Sequence, residues 1–465
     1  MKSFAIKIAA AVITCTALLF TGCKKGEQYY TNPNLPTSGT LQNMLTALEV
    51  STMNSYESEI ARSTSALIQH SAGVDNQAIQ VNNYSLLENQ LDISWAQLYS
   101  AINTGEILAN KATTSPRYRG IAKVCLALNW GLLTDIWGDV PYSEAVSNVR
   151  FPKYDSQEDV LNGIQSILDE AITDLQSTNA ENVIVPAADD VIFSGDAAKW
   201  TKTAWTLKAR YLNRLSNKPG YDPAAILDAL SKGILSNADD CMTKHGKTGS
   251  DANQWWAFQR QRTYYRAAKP FVDSISLRPL DARLGKYFHP YNGSIVGSPI
   301  DATTQLASLW GSYLIGPADD AATPFLEGNA EVSTPLVTNF EALFIGAEVL
   351  ARQNNALAAE ALNNAIKASC IKVTGGNFDG AAIANYTAGN TDVSRVMYEK
   401  WIAMFGQCEA YSDYRRTGMP KMAINSAAVT PAFVIPKRFP TPTLERTANP
   451  NAPVISILDP VWWAQ

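Results

Sequence analysis

A chain of 465 residues, 46% of them hydrophobic and 17% charged, has ample material for a large core. Its net charge of −5 argues against a nucleic-acid partner, which demands a basic face. Beyond the first 23 residues no apolar run approaches the length of a transmembrane helix.

Those first residues read as a secretion signal. Lys2 and Lys7 supply the positive start, and residues 8–20 form an apolar run too short to span a membrane but suited to a signal core. Leu19-Phe20-Thr21-Gly22-Cys23 is close to the box that is cut before a lipidated cysteine. Cleavage after residue 22 would leave Cys23 first in the mature chain, its thiol carrying the lipid. Several acyl chains give stable anchoring where one does not. Lys24 and Lys25 begin a polar tether over residues 23–40, rich in Pro, Asn, Thr and Ser.

From residue 41 the pattern turns helical, with Leu41, Met44, Leu45, Leu48 and Met53 on one stripe. A polar stretch over 70–83 follows, then a predicted helix over 84–110 with Trp95, Leu98 and Ile102. Pro116 opens a third helix that ends at Gly138, because glycine can terminate a helix and Pro141 cannot continue it. Ser156 with Asp159 reads as a capping-box variant before a fourth. Asp196 leads into a fifth, and Asp222-Pro223 opens a sixth. Paired helices with short turns suggest tetratricopeptide-like stacking, although no strict 34-residue repeat is visible. Helical periodicity fades over 241–335, where Gly, Pro, Asn and Asp rise. Such loop-rich insertions carry function on rigid scaffolds. Helices return at 340–352 and 356–368 as an expected antiparallel hairpin, and a last long helix is expected over 392–410. The tail from Pro431 is proline-rich and reads as extended.

Four cysteines remain after Cys15 and Cys23, at 125, 241, 370 and 408. They lack CxxC spacing, and a buried free thiol is the expected state of Cys125. No GxSxG, HExxH, P-loop or dinucleotide fingerprint is present. The acidic pairs Asp189-Asp190, Asp239-Asp240 and Asp319-Asp320 read as turns, not as facing carboxylates of a glycosidase. No catalytic residue, cofactor or metal is expected.

Several segments together resemble the SusD/RagB outer-membrane lipoproteins of Bacteroidetes, in the SusD-like branch. They are Trp95-Ala96-Gln97-Leu98-Tyr99 and the run from Leu133 through Trp137-Gly138-Asp139-Val140-Pro141-Tyr142 to Ala145. Trp200 to Leu215 with Ala209-Arg210-Tyr211, Asp281-Ala282-Arg283-Leu284, Phe340 to Phe344 with Glu348, and Ala359-Glu360-Ala361-Leu362-Asn363 follow in order. The run from Lys400-Trp401 to Tyr414-Arg415-Arg416-Thr417-Gly418 and the end Pro436-Lys437-Arg438-Phe439-Pro440 complete the match. Ala282 stands where the family has proline, and Lys437 where a paired arginine is common. The resemblance implies a mainly α fold, a tetratricopeptide-like hairpin scaffold over about 41–240 and 336–425 with a loop-rich ligand-binding insertion over about 241–335, all in one domain of residues 41–465. It also implies a non-enzymatic lipoprotein of the outer membrane, facing the cell surface. Such a protein hands a nutrient to a SusC-type TonB-dependent transporter.

Sugars offer an apolar ring face fringed by hydroxyls, so aromatic rings beside amides and guanidinium groups suit them. Three clusters qualify. The first holds Asn76, Gln77, Asn83 and Tyr84. The second holds Trp255, Trp256 and Tyr264, interleaved with Arg260, Arg262 and Arg266. The third holds Tyr287 and Tyr291, with Trp310 and Tyr313 beyond. An oligosaccharide is the expected ligand. The arginines keep a peptide or glycopeptide open, since guanidinium pairs with carboxylates or sulfates. A lipid-anchored hydrolase and a structural assembly factor are the alternatives from other classes.

Overall fold

Where apolar side chains recur at three- and four-residue steps, the backbone of the computed structural model is helical. The structure describes residues 39–465 except 148, 318–327, 377 and 384. The signal, Cys23 and most of the tether lie outside the described residues, as does the Asp319-Asp320 pair. Residues 41–465 form one compact unit.

The elements run α1 (Leu41–Glu57), α2 (Glu59–Leu67), β1 (Ser71–Gly73), α3 (Asn76–Asn82), α4 (Asp92–Lys111), α5 (Pro116–Trp137), α6 (Gln157–Leu175), α7 (Ala197–Arg214) and α8 (Pro223–Lys232). Shorter pieces follow: β2 (Cys241–Met242), α9 (Gln254–Gln261), β3 (Tyr265–Ala267), α10 (Lys269–Ser276), α11 (Leu284–Tyr287), α12 (Ser312–Ile315) and β4 (Pro335–Val337). The chain then forms α13 (Asn339–Arg352), α14 (Ala358–Thr374), α15 (Val393–Ala403), α16 (Cys408–Thr417) and α17 (Thr443–Ala448).

The fold is mainly α, with α5 at its centre. Pro116 sits at its first turn, where a missing N–H costs nothing. Every residue from Val124 to Trp137 is buried, the signature of a helix covered on all sides. It packs against α1, α4, α6 and α7, and α7 packs in turn on α8. α13 and α14 form the expected hairpin, with α15 laid against both. Side-chain caps start these helices as read: Ser156 accepts from the Asp159 amide, Asp196 from Ala198 and Lys199, and Asp222 from Ala224 and Ala225. Gly138 ends α5 at φ +81, a conformation open to glycine, and a Cβ there would lie 2.6 Å from an Arg438 guanidinium nitrogen.

Buried ion pairs tie the helices together. Arg210 on α7 meets Glu341 on α13 at 2.6 Å. Arg214 reaches Asp135 on α5 at 2.9 Å and also pairs with Glu409 on α16. Arg416 pairs with Glu348 and, at 2.8 Å, with Asp413. The segments that carried the family resemblance therefore supply this lattice of charge.

Three sequence expectations are corrected. The helix read over 84–110 begins only at Asp92, because Tyr84 takes a left-handed φ of +61 and the chain turns before entering α4. The polar stretch 70–83 is not a loop throughout: it forms β1 and α3, with His70 and Asn82 buried. The single helix over 392–410 is two helices, broken at 404–407 around Gly406 at φ +75, where a Cβ would lie 2.9 Å from Leu314. The four cysteines are free and buried.

Candidate ligand-binding site

Two antiparallel strands bring the first two clusters together. β1 pairs with β3 in the register Ser71↔Ala267, Ala72↔Arg266 and Gly73↔Tyr265. The turn out of β1 is so tight that a Cβ on Gly73 would fall 1.9 Å from the Ala78 carbonyl. Asp75 caps α3 by accepting the Asn76 amide at 2.8 Å, and its other oxygen accepts from Gln305 at 3.1 Å. Asn76 and Gln77 are thus exposed on the rim of the insertion, while Asn83 is half-buried and Tyr84 buried.

The rings divide into two groups. Trp255, Trp310, Tyr287 and Tyr84 are buried, contrary to their reading as ligand platforms. The Trp310 indole stacks on Tyr265 at 5.6 Å, meets Trp255 edge-on at 4.8 Å and donates from Nε1 to Ser71 Oγ at 2.9 Å. Tyr287 stacks on Phe405 at 4.5 Å. The physical reason lies in the shortness of α9 to α12: such elements cannot hold position alone, and their large rings form an aromatic core that fastens the insertion to the scaffold. Trp256, Tyr264, Tyr291 and Tyr313 are half-buried. Tyr313 lies edge-on to Tyr287 at 5.3 Å, and Tyr264 edge-on to Phe258 at 6.0 Å.

Around Tyr291 the surface opens into a cleft of about 370 Å³ lined by Thr263, Arg266, His289, Tyr291, Asn292 and Ser308, among others. Asn292 and Gly293 both have positive φ, +49 and +83, as a two-residue hairpin of type I′ requires. Tyr291 and Ser294 exchange both backbone hydrogen bonds across it, at 2.7 and 3.2 Å, which fixes the ring at the cleft edge. Arg266 is only 8% exposed and its side chain makes no hydrogen bond or ion pair with any described residue; its Nε is fully buried. Burial lowers its pKa, with Tyr291 opposing the shift. His289 has a buried Nε2 without a partner, and burial lowers its pKa, which favours the neutral ring. The cleft therefore offers a ring, a cation, an imidazole nitrogen and hydroxyl and amide groups, and no carboxylate lines it.

The arginine cluster read from sequence is split. Arg260 lies over the Trp256 ring at 5.2 Å, beside a separate, shallower hollow with Lys247 and Glu331. Arg262 is exposed and reaches only the neighbouring Gln261. Sequence reasoning missed a polar cleft of about 350 Å³ between α1, α2, α4 and α9, with Asn54, Arg62, Gln90, Gln97 and Gln254. Its lining mixes amides with Ser58, Glu59, Arg62 and Ser94, all in or beside helices, so a search for rings in loops passes over them. The acidic pairs point apart. Asp190 accepts the Trp200 indole at 2.8 Å and the Gly195 amide, while Asp189 accepts the Tyr118 hydroxyl at 2.7 Å. Asp239 and Asp240 bind Lys202 and Lys372 respectively. Among the described residues no cluster of three His, Cys, Asp or Glu side chains is placed to hold a metal, and no helix is long and apolar enough to cross a membrane.

A family model for SusD-like proteins, described as starch-binding and associating with the outer membrane, matches residues 33–442. A SusD/RagB family protein from Bacteroides thetaiotaomicron is similar at 25% identity and a TM-score of 0.74, over 92% of this chain and 99% of that one. A chitin-binding SusD homolog from Flavobacterium johnsoniae superposes at a TM-score of 0.75 with 20% identity, over 90% and 98% of the two chains. A protein from Bacteroides vulgatus shares the fold at 17% identity and a TM-score of 0.74, over 92% and 100% of the two chains. No curated protein matches the chain.

Proposed function

The chain belongs to the SusD-like family, and from that membership we propose that it is a lipid-anchored nutrient-binding protein of the outer membrane that captures an oligosaccharide. The observation that carries the reading is the cleft at Tyr291, where a ring fixed by a rigid hairpin stands beside polar groups without protein partners. Stacking on the sugar face and hydrogen bonds to its hydroxyls are the interactions this arrangement supplies. Asn76 and Gln77, exposed a few residues beyond β1, would extend the polar rim for a longer ligand. Binding without turnover agrees with the engagement of Asp189, Asp190, Asp239 and Asp240 in structural bonds. Anchoring through Cys23, exposure at the cell surface and delivery to a SusC-type TonB-dependent transporter complete the proposal.

A glycan array followed by calorimetry tests the binding. Saturable binding of oligosaccharides with no product formed supports the reading, and turnover of any of them overturns it. Co-purification of a large TonB-dependent barrel from the native outer membrane tests the partner, and labelling of Cys23 by a fatty-acid analogue tests the anchor.

A further inference from the structure

Taking a charged group out of water is costly unless it is paired, and this protein pairs its buried arginines with care. Arg210, Arg214, Arg283 and Arg416 each meet a buried carboxylate. Arg266 and Arg438 depart from that pattern, each nearly buried with a side chain that makes no ion pair or hydrogen bond to a described residue. The two differ in surroundings. Arg438 lies against Gly138, at the C-terminal end of α5, where the unpaired carbonyls of a long helix present partial negative charge. Arg266 has no such compensation and lines an open cleft.

We propose that the ligand of this cleft is an acidic oligosaccharide, with a carboxylate or sulfate seated on the Arg266 guanidinium while a neighbouring sugar ring stacks on Tyr291. The inference deepens the oligosaccharide reading above and rests on it. Three features of the site converge. Arg266 is held on β3, hydrogen-bonded to β1 on one side, and the Ala267 amide beside it donates to the Ser308 carbonyl at 2.8 Å, so the backbone that carries the guanidinium is fixed before a ligand arrives. No carboxylate lines the cleft, although the chain as a whole has a net charge of −5, so the site is a local positive spot on an acidic protein. A planar guanidinium offers a fork that matches two oxygens of a carboxylate or sulfate, an advantage a neutral hydroxyl does not use. His289 Nε2 and the Asn292 amide then remain for the hydroxyls of the same or the next sugar.

Calorimetry on the detergent-solubilised full chain tests this with four probes of matched length. They are an oligogalacturonide, a sulfated chondroitin oligosaccharide, and the neutral malto- and chito-oligosaccharides. The expected result is at least tenfold tighter binding of one acidic probe than of either neutral one, weakened further by raising salt from 50 to 500 mM. The two acidic arms tell a carboxylate from a sulfate. Arg266→Gln should remove the preference and Arg266→Lys restore part of it. Thr263→Asp, which places a carboxylate in the cleft, should suppress acidic binding even if Arg266→Gln fails to fold. Equal binding of neutral and acidic probes, unchanged in Thr263→Asp, overturns the acidic ligand and leaves the oligosaccharide reading standing. Binding of an acidic peptide with no response to any of the four sugars overturns both.

Discussion

His70 accepts the Gly406 amide on Nδ1 at 3.3 Å and donates from Nε2 to the Trp401 carbonyl at 2.8 Å. The ring therefore stands in the break between α15 and α16 and satisfies backbone groups that a continuous helix would have paired internally. This pattern fixes one neutral tautomer, packed among Phe271, Trp401 and Phe405.

Burial holds the His70 pKa down to about 3, against 6.5 in the unfolded chain. Between those values the unfolded state binds more protons, so stability rises with pH across that window. The contribution is complete above about pH 6.5 and is lost as pH falls toward 3, at up to about 1.4 kcal/mol per pH unit. Urea denaturation at pH 7, 5.5 and 4.5 should show this slope in the wild type. His70→Gln should be less stable at pH 7 and show a shallower slope; an unchanged slope would mean that other groups set the acid sensitivity.

The Glu348 carboxylate is held far below the usual range although burial alone would raise it, because Arg416, Arg352 and Lys400 surround it. Arg416 Nη2 donates to it at 2.7 Å, Asn213 at 2.9 Å and Arg352 at 2.9 Å. Glu348→Gln removes the charge but not the volume, leaving Arg416 with Asp413 as its remaining carboxylate beside the Ser216 hydroxyl. A loss of about 3–5 kcal/mol is expected, since breaking one partner of a buried pair strands the other. Equilibrium denaturation measures it, and a loss below about 1 kcal/mol would show that Asp413 suffices.

At the end of α5, Gly138→Ala should cost about 1–3 kcal/mol, the usual range for a side chain forced into an unfavourable backbone region. The new methyl group would also press on the Arg438 guanidinium, 2.6 Å from its position. The denaturation midpoint should fall while affinity for a bound oligosaccharide stays unchanged, because the site at Tyr291 lies on the loop-rich insertion and not on α5.

The scaffold was legible because its signals are local. Pro116, Ser156, Asp196 and Asp222 start helices through their own backbone chemistry, and Gly138 stops one through its φ. The break at Gly406 was not legible, since the apolar stripe runs on through it and the compensating imidazole comes from residue 70, more than 300 positions away. The site was legible only in part. Asn292-Gly293 marks a hairpin in any sequence, and Tyr291 beside it is half-buried at the cleft edge. Nothing in the local pattern separates Trp310, whose face is covered by Tyr265, from a ring that faces water. That difference depends on the pairing of β1 with β3, which joins residues about 190 apart. The isolation of Arg266 from Arg260 and Arg262 has a related origin: Arg260 sits in the last turn of α9 and Arg262 caps that helix, whereas Arg266 lies on β3 against β1, so proximity in sequence does not make a cluster.

The distinction between covered and open rings gives the last prediction. Trp310 fills space among Trp255, Phe258 and Tyr265 and anchors Ser71 through its indole N–H. Trp310→Ala removes a large buried ring and should cost about 3–5 kcal/mol of stability. Tyr291, half-exposed at the cleft edge, has little packing to lose. Tyr291→Ala should leave the melting temperature within about a degree or two of wild type, as surface substitutions do, while weakening oligosaccharide binding roughly tenfold, or about 1.4 kcal/mol. Thermal melts and calorimetry on the two variants separate the roles. If Tyr291→Ala binds as tightly as wild type, the sugar does not stack there, and the polar cleft at Gln90 and Gln97 becomes the place to look.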